Sequence, residues 1–271
     1  MALERKLALI TGASSGIGAA FAGVYASQGF DLALTARRLD RLDALAGELA
    51  KAHSIEAMTI AADLADPHAV DDILARIAAK GRVVDVLVNN AGYGLPDTWL
   101  ESSWPDQAGA IQVMLTAPLE LAHRVLPGMA ERKWGRIVNV ASLAGFAPGR
   151  GGATTYAAVK AALIKFSQAL HAELEGSGVH CTAVCPGLTR TGFHDDKRLR
   201  EQVDVAPEWA WQTAGEVAEA GYEAAERNRA VVVTGSVNKV AAGIAKAVPD
   251  ELVSELMKAA IERRKPSAGR N

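Results

Sequence analysis

Two cysteines, five phenylalanines, five tryptophans and four tyrosines are all that a chain of 271 residues holds of those types, and the scarcity narrows the fold at once. Aromatic residues make up 5%, too few for an aromatic-rich β-sandwich, whereas abundant alanine and 25 glycines suit close packing of helices on a sheet. Cys181 and Cys185 lie four positions apart in the run Val179 to Cys185. If that run is a strand they are ~13 Å apart and cannot bridge. Two buried structural thiols in a reducing compartment are the expectation, with no metal site. A basic surplus is also missing: 29 Lys and Arg against 31 Asp and Glu give a formal charge of -2. Neither nucleic acid nor an anionic membrane is advertised, and small molecules are the expected partners. The best apolar stretch, Ala230 to Val248, is broken by Asn238, Lys239 and Lys246 and falls short of ~20 clean residues. The start, Met-Ala-Leu-Glu-Arg-Lys, has no signal-peptide pattern, so a cytoplasmic protein is expected.

What is present is a sizeable apolar fraction, 49%, over a length that suits one large domain, read as residues 1–271. Short β-rich runs alternate with stretches of helical period. Strands are expected at Leu7–Ile10, Leu32–Thr35, Ala57–Ala61, Val83–Val88, Arg136–Val140, His180–Val184 and Ala230–Thr234. Helices are expected at Gly16–Gln28, Asp40–Lys51 after an Asp cap, Pro67–Lys80, from Pro105 toward Val125, Thr155–Glu175 and Ala214–Arg227. This alternation predicts an α/β, doubly wound, Rossmann-like sheet of about seven parallel strands with helices on both faces. The basic end, 262–271, reads as a frayed tail. Ligands of such sheets sit beyond the carboxyl ends of the strands.

After the first strand comes Thr11-Gly12-Ala13-Ser14-Ser15-Gly16-Ile17-Gly18, opening a helix. Glycines there let the backbone approach a pyrophosphate, whose charge meets free N–H groups and the helix dipole. The same small residues also permit tight helix-strand packing. No carboxylate follows the second strand to take a ribose 2′-hydroxyl; Arg37 and Arg38 stand there instead, a fork suited to a 2′-phosphate. The pair favours NADP(H) over NAD(H), against the plainer reading of two solvated arginines. Asp63 and Leu64, after the third strand, are placed at an adenine edge. Asn89-Asn90-Ala91-Gly92 ends the fourth strand, with amides suited to tying strand ends together and Ala-Gly passing close under a ligand. Turn-forming residues look similar.

Tyr156 and Lys160 are spaced i, i+4 on one helix face, where an ammonium favours the phenolate and would bring the phenol toward acid-base work near neutral pH. Ser142 lies just past the fifth strand, fourteen positions before Tyr156, so a loop lets both reach one substrate oxygen. Together with Pro186-Gly187-Leu188-Thr189-Arg190-Thr191, these motifs make the chain resemble the short-chain dehydrogenase/reductases across nearly all of Leu7 to Gly235. The resemblance implies that Tyr156 is the general acid/base, that Ser142 holds the substrate oxygen, and that Lys160 binds the nicotinamide ribose and tunes Tyr156. It implies that the Thr189 backbone meets the carboxamide and that Thr191 approaches the pyrophosphate, with Pro186 and Gly187 beside the cofactor. A homodimer or homotetramer is implied too, with Gln107–Met129 and Thr155–Glu175 packing across a two-fold axis.

One position departs from the family. Where it usually has an asparagine that holds a relay water, this chain has Met114, and a thioether lacks an amide's donor and acceptor. Gln112 is a poor stand-in, because two positions turn ~200° around a helix. A relay water hung on the backbone carbonyl would survive the change. Residues 187–213 look like a substrate lid, carrying the run His194 to Arg200 and then Trp209 and Trp211. Tyr93, Leu95, Leu143, Phe146, Leu188 and Phe193 lie beside the strand ends and suit an apolar pocket for an aliphatic, aromatic or steroid-sized carbonyl, with the glycine-rich run Leu143 to Gly152 adjusting to the ligand. Those side chains equally suit packing of the lid on the core. The reading is an NADP(H)-dependent alcohol/carbonyl oxidoreductase. The alternative is a catalytically impaired NADP(H)-binding regulator or sensor, which retention of Ser142, Tyr156 and Lys160 opposes. An epimerase or dehydratase on the same fold would need a larger C-terminal domain than follows Gly235.

Overall fold

Strands β1 (Leu7–Thr11), β2 (Asp31–Ala36), β3 (Ala57–Ala61), β4 (Val86–Asn89), β5 (Gly135–Val140), β6 (Val179–Cys185) and β9 (Val231–Val233) form one sheet in the order β3-β2-β1-β4-β5-β6-β9. Every pairing is parallel. The computed structural model describes residues 5–147, 153–194 and 207–247. Two further short strands, β7 (Thr189–Arg190) and β8 (Gln212–Thr213), pair with each other.

Alternation along the strands assigns their faces. Leu7 and Leu9 join the core under α3 (Ala69–Ala78), α5 (Ala117–Glu131) and α6 (Thr154–Glu173). Ala8 and Ile10 join the core under α1 (Gly16–Ser27), α2 (Leu39–His53) and α7 (Ala214–Glu226). A sheet covered on both faces needs apolar residues at every position, which is why β1 reads Leu-Ala-Leu-Ile without polar alternation. Strand order reverses between β1 and β4, so the crevice for a ligand opens there, at the carboxyl ends. No helix among the described residues is long and apolar enough to cross a membrane.

Several boundaries differ from the expected ones for identifiable reasons. The helix from Pro105 is split into α4 (Trp104–Ile111), a π-helical turn at Gln112–Thr116 and α5. Pro118 has no N–H for the Met114 carbonyl four residues earlier and its ring crowds that carbonyl. The Ala117 N–H reaches back five residues to Gln112. The residue flanking α2 is Arg38, without a side-chain cap, while Asp40 sits inside the first turn, where its charge meets the dipole. The helix expected from Pro67 starts at Ala69, since Asp66 ties the N–H groups of His68 and Ala69 into a preceding turn. Strand β4 begins at Val86 because the Asp85 carboxylate takes the Leu7 N–H at 2.9 Å. The last strand is shorter than Ala230–Thr234, and an unexpected helix, α8 (Ser236–Ala247), follows it. Its Val237, Val240 and Ile244 repeat at helical spacing inside the apolar run that Asn238, Lys239 and Lys246 interrupt.

Candidate active site

A cavity of about 900 Å³ opens at the switch point. Its floor is the turn after β1, where Gly12, Ser15, Gly16 and Ile17 line it. Ser15 flanks α1 with no side-chain cap, which leaves the first N–H groups of that helix to a ligand. Gly16 adopts φ +58°, and a Cβ there would lie 3.0 Å from Thr191 Cβ, so glycine permits both the turn and the close approach of Thr191, just past β7. Gly18 has a packing role instead: a Cβ on it would strike the Gly12 carbonyl oxygen at 2.4 Å.

Asn90 fastens this turn to β4. Its Nδ2 donates to the Thr11 and Gly12 carbonyls at 2.9 and 3.3 Å, and the Thr11 hydroxyl accepts from the N–H groups of Asn90 and Ala91. Asn89 works deeper, donating to Asn139 Oδ1 at 2.9 Å and to the Pro118 carbonyl at 3.1 Å. Arg37 and Arg38 line the outer end. Arg38 Nη2 donates to the hydroxyls of both Ser14 and Ser15 at 3.0 Å, so its guanidinium lies across the glycine-rich turn.

Ser142 ends the stretch after β5, its Oγ accepting the Ala144 N–H at 3.1 Å to start a 3₁₀ turn at Leu143–Phe146. A Cβ on Gly145 would come within 2.8 Å of the Lys160 carbonyl carbon, so this turn presses on the backbone of α6 beside the lysine. That contact brings Ser142 beside Tyr156, where its hydroxyl acts on the phenol. Burial raises the Tyr156 pKa above its ordinary value and the Ser142 hydroxyl pulls the other way. Lys160 Nζ donates to the Val140 carbonyl at 2.7 Å and lies 5.6 Å from the Tyr156 ring centroid. Burial lowers its pKa to about 8. With its pKa raised, the phenol is protonated at neutral pH.

Met114 is fully buried beneath this group, in the π-helical turn. A Cβ on Gly92 would lie 3.2 Å from Met114 Sδ and 3.8 Å from Lys160 Nζ. The thioether therefore borders the glycine on the lysine side.

Among the other expected residues, Ala91, Gly92, Leu143, Pro186, Gly187, Leu188, Thr189, Thr191 and Phe193 line the same cavity. The Phe193 ring lies 5.5 Å from that of Tyr156. Tyr93 also lines it, with its hydroxyl near Gly109 of α4, 3.4 Å from where a Cβ on that glycine would stand. Asp63 and Leu64 are not in the lining: Leu64 is buried in the core and the Asp63 carboxylate accepts the Ala65 N–H. Leu95 is buried in the core, and Phe146 packs against the cluster of Ala141, Leu163, Ile164, Ala183 and Cys185. Of the expected lid, 195–206 lies outside the described residues, as do 148–152 of the glycine-rich loop and the tail 262–271. Sequence reasoning missed Ala241 and Ile244 of α8, which close one wall; the helical spacing of Val237, Val240 and Ile244 was the available signal.

Comparison with known proteins gives a consistent result. The short chain dehydrogenase family model matches residues 6–202. The chain is 35% identical to nodulation protein G of Rhizobium meliloti (strain 1021) over 247 residues, 90% of this chain and 98% of that protein. Among solved structures it resembles a short-chain dehydrogenase from Sphingobium yanoikuyae in complex with NADPH, at 30% identity and TM-score 0.77, covering 98% of each chain. It also resembles the bulky-bulky ketone specific alcohol dehydrogenase from Comamonas testosteroni, at 29% identity and TM-score 0.74, covering 98% of this chain and 97% of that one.

Proposed function

The chain belongs to the short-chain dehydrogenase family of oxidoreductases, and from that membership we propose that it interconverts an alcohol and a ketone or aldehyde with NADP(H), Tyr156 serving as general acid/base. The observation that carries the proposal is the meeting of Ser142, Tyr156 and Lys160 in the cavity that also holds the glycine-rich turn. The residues fit a dinucleotide: an uncapped helix N-terminus faces the cavity, and small residues line its floor. Two guanidiniums at the outer end suit a 2′-phosphate, which favours NADP(H). When bound, the nicotinamide supplies or accepts the hydride at the carbonyl carbon.

The chain's own residues manage the oxygen. Ser142 Oγ hydrogen-bonds the carbonyl oxygen and orients it toward Tyr156. In reduction, Tyr156 Oη gives its proton to that oxygen as negative charge develops there; in oxidation the phenolate takes the proton back. Lys160 holds positive charge beside the phenol and offers its remaining N–H groups to the cofactor ribose. The raised pKa of Tyr156 suits the reductive direction, because the donor enters the reaction already protonated. The assembly belonging to this reading is a homodimer or homotetramer in the cytoplasm, and the Comamonas relative's bulky ketones indicate the type of carbonyl to try first. A panel of aldehydes and ketones, followed by NADPH absorbance, is expected to show turnover faster than with NADH. Tight NADPH binding without consumption for any carbonyl would instead favour the sensor.

A further inference from the structure

The two ends of the cavity differ in charge. Among its described lining residues the charged ones are Arg37 and Arg38 at the cofactor end and Lys160, whose ammonium is engaged by the Val140 carbonyl. Around the Ser142–Tyr156 pair the lining is Leu143, Ala144, Ala147, Leu188 and Phe193, and it is completed by Ala241 and Ile244.

Helix α8 is held against this end by a built contact. Asn238 is buried, its Nδ2 donates to the Thr234 carbonyl at 2.9 Å, and a Cβ on Gly187 would fall 2.4 Å from that same nitrogen. Gly187 is thus the residue that admits Asn238 and fixes α8 beside the loop after β6. Ala241 lies three residues on from Asn238 and Ile244 three further, on the side of α8 that meets the cavity. Ile244 is 50% exposed, so it stands at the rim with apolar surface free to be covered.

We propose that Ala241 and Ile244 form the specificity wall of this enzyme, and that its substrate is an uncharged ketone or secondary alcohol carrying a bulky apolar substituent that lies against Ile244. The inference rests on the hydride-transfer reading above. An ionised substituent would lose water there, and Leu143, Ala144, Ala147, Leu188, Phe193, Ala241 and Ile244 carry no charge to meet it, whereas an apolar one gains about fourfold in affinity for each methylene buried.

The test uses three ketones that share a methyl ketone head: 2-butanone, 2-octanone and 7-oxooctanoate, the last being 2-octanone ended in a carboxylate. With NADPH saturating, kcat/KM is expected to be ~10²-fold higher for 2-octanone than for 2-butanone, and at least ~10-fold higher than for 7-oxooctanoate. Ile244→Ala, which removes that apolar surface, should shrink the 2-octanone to 2-butanone ratio through KM. Ile244→Lys should move the preference toward 7-oxooctanoate by at least ~10-fold. Equal use of 2-octanone and 7-oxooctanoate by the wild type, or a preference that Ile244→Lys leaves in place, would overturn the proposal. Melting temperature separates this inference from the reading beneath it. If the wild type consumes no ketone, a rise in Tm with 2-octanone that disappears in Ile244→Lys supports the wall while hydride transfer fails, and no rise at all overturns both.

Discussion

At Tyr156 two influences compete, and burial outweighs the Ser142 hydroxyl. A phenol kept protonated is a proton donor in waiting. The residues around it make distinct demands. Arg37 is exposed to the cavity with no carboxylate beside it in the lining, so Arg37→Asp should weaken NADPH by ~10–100-fold, the loss of a charge-assisted contact, while affecting NADH much less. Equal loss for both cofactors, measured by fluorescence titration, would remove Arg37 from phosphate recognition. Met114 is fully buried next to Gly92 and Lys160 and brings neither donor nor acceptor to that side of the lysine. Met114→Asn should raise kcat with NADPH affinity intact, by less than the ~10²–10⁴-fold worth of a direct acid-base group. An unchanged or lower kcat would show that proton delivery does not pass there, and the Met114 carbonyl, which Pro118 cannot engage at helical spacing, would then be the next group to examine.

At the level of the element, the site depends on a 3₁₀ turn pressed onto α6. Gly145→Ala places a methyl group against the backbone at Lys160 and Ala161. It should cost about 1–3 kcal/mol of stability and lower kcat together, since it displaces Ser142 from Tyr156. Thermal unfolding and steady-state kinetics check both, and an unchanged Tm with full activity would refute the contact. What the sequence made legible at this scale follows from local chemistry. The glycine-rich turn, the amides after β4, and the Tyr156–Lys160 spacing each carry their meaning within a few residues. What it concealed came from partners distant in the chain. The bond from Arg38 to Ser14 and Ser15 spans more than twenty positions. Leu64 turned inward because the core beneath β3 needed a side chain. Helix α8 owes its role to Gly187, which lies on another segment altogether. The π-helical turn is an intermediate case, for Pro118 carried the signal, but only the lost N–H, not proline's presence near a helix start, explains it.

The whole molecule brings these parts to one place because a doubly wound sheet puts every loop of interest at its carboxyl edge. Its ionisation then governs pH dependence. Lys160 is charged below about pH 8 and loses its proton above it, since burial has lowered its pKa. Reductive kcat/KM should therefore hold level through neutrality and fall on the alkaline side of about pH 8; a limb at the ordinary lysine value would show that the ammonium is not buried during turnover. The account as a whole turns on the phenol as proton donor. Its most direct measurement is the rate of NADPH consumption by Tyr156→Phe with a ketone the wild type reduces, alongside the NADPH dissociation constant. We predict a fall of ~10²–10⁴-fold in rate with cofactor binding preserved; a variant that still reduces the ketone at the wild-type rate would contradict it.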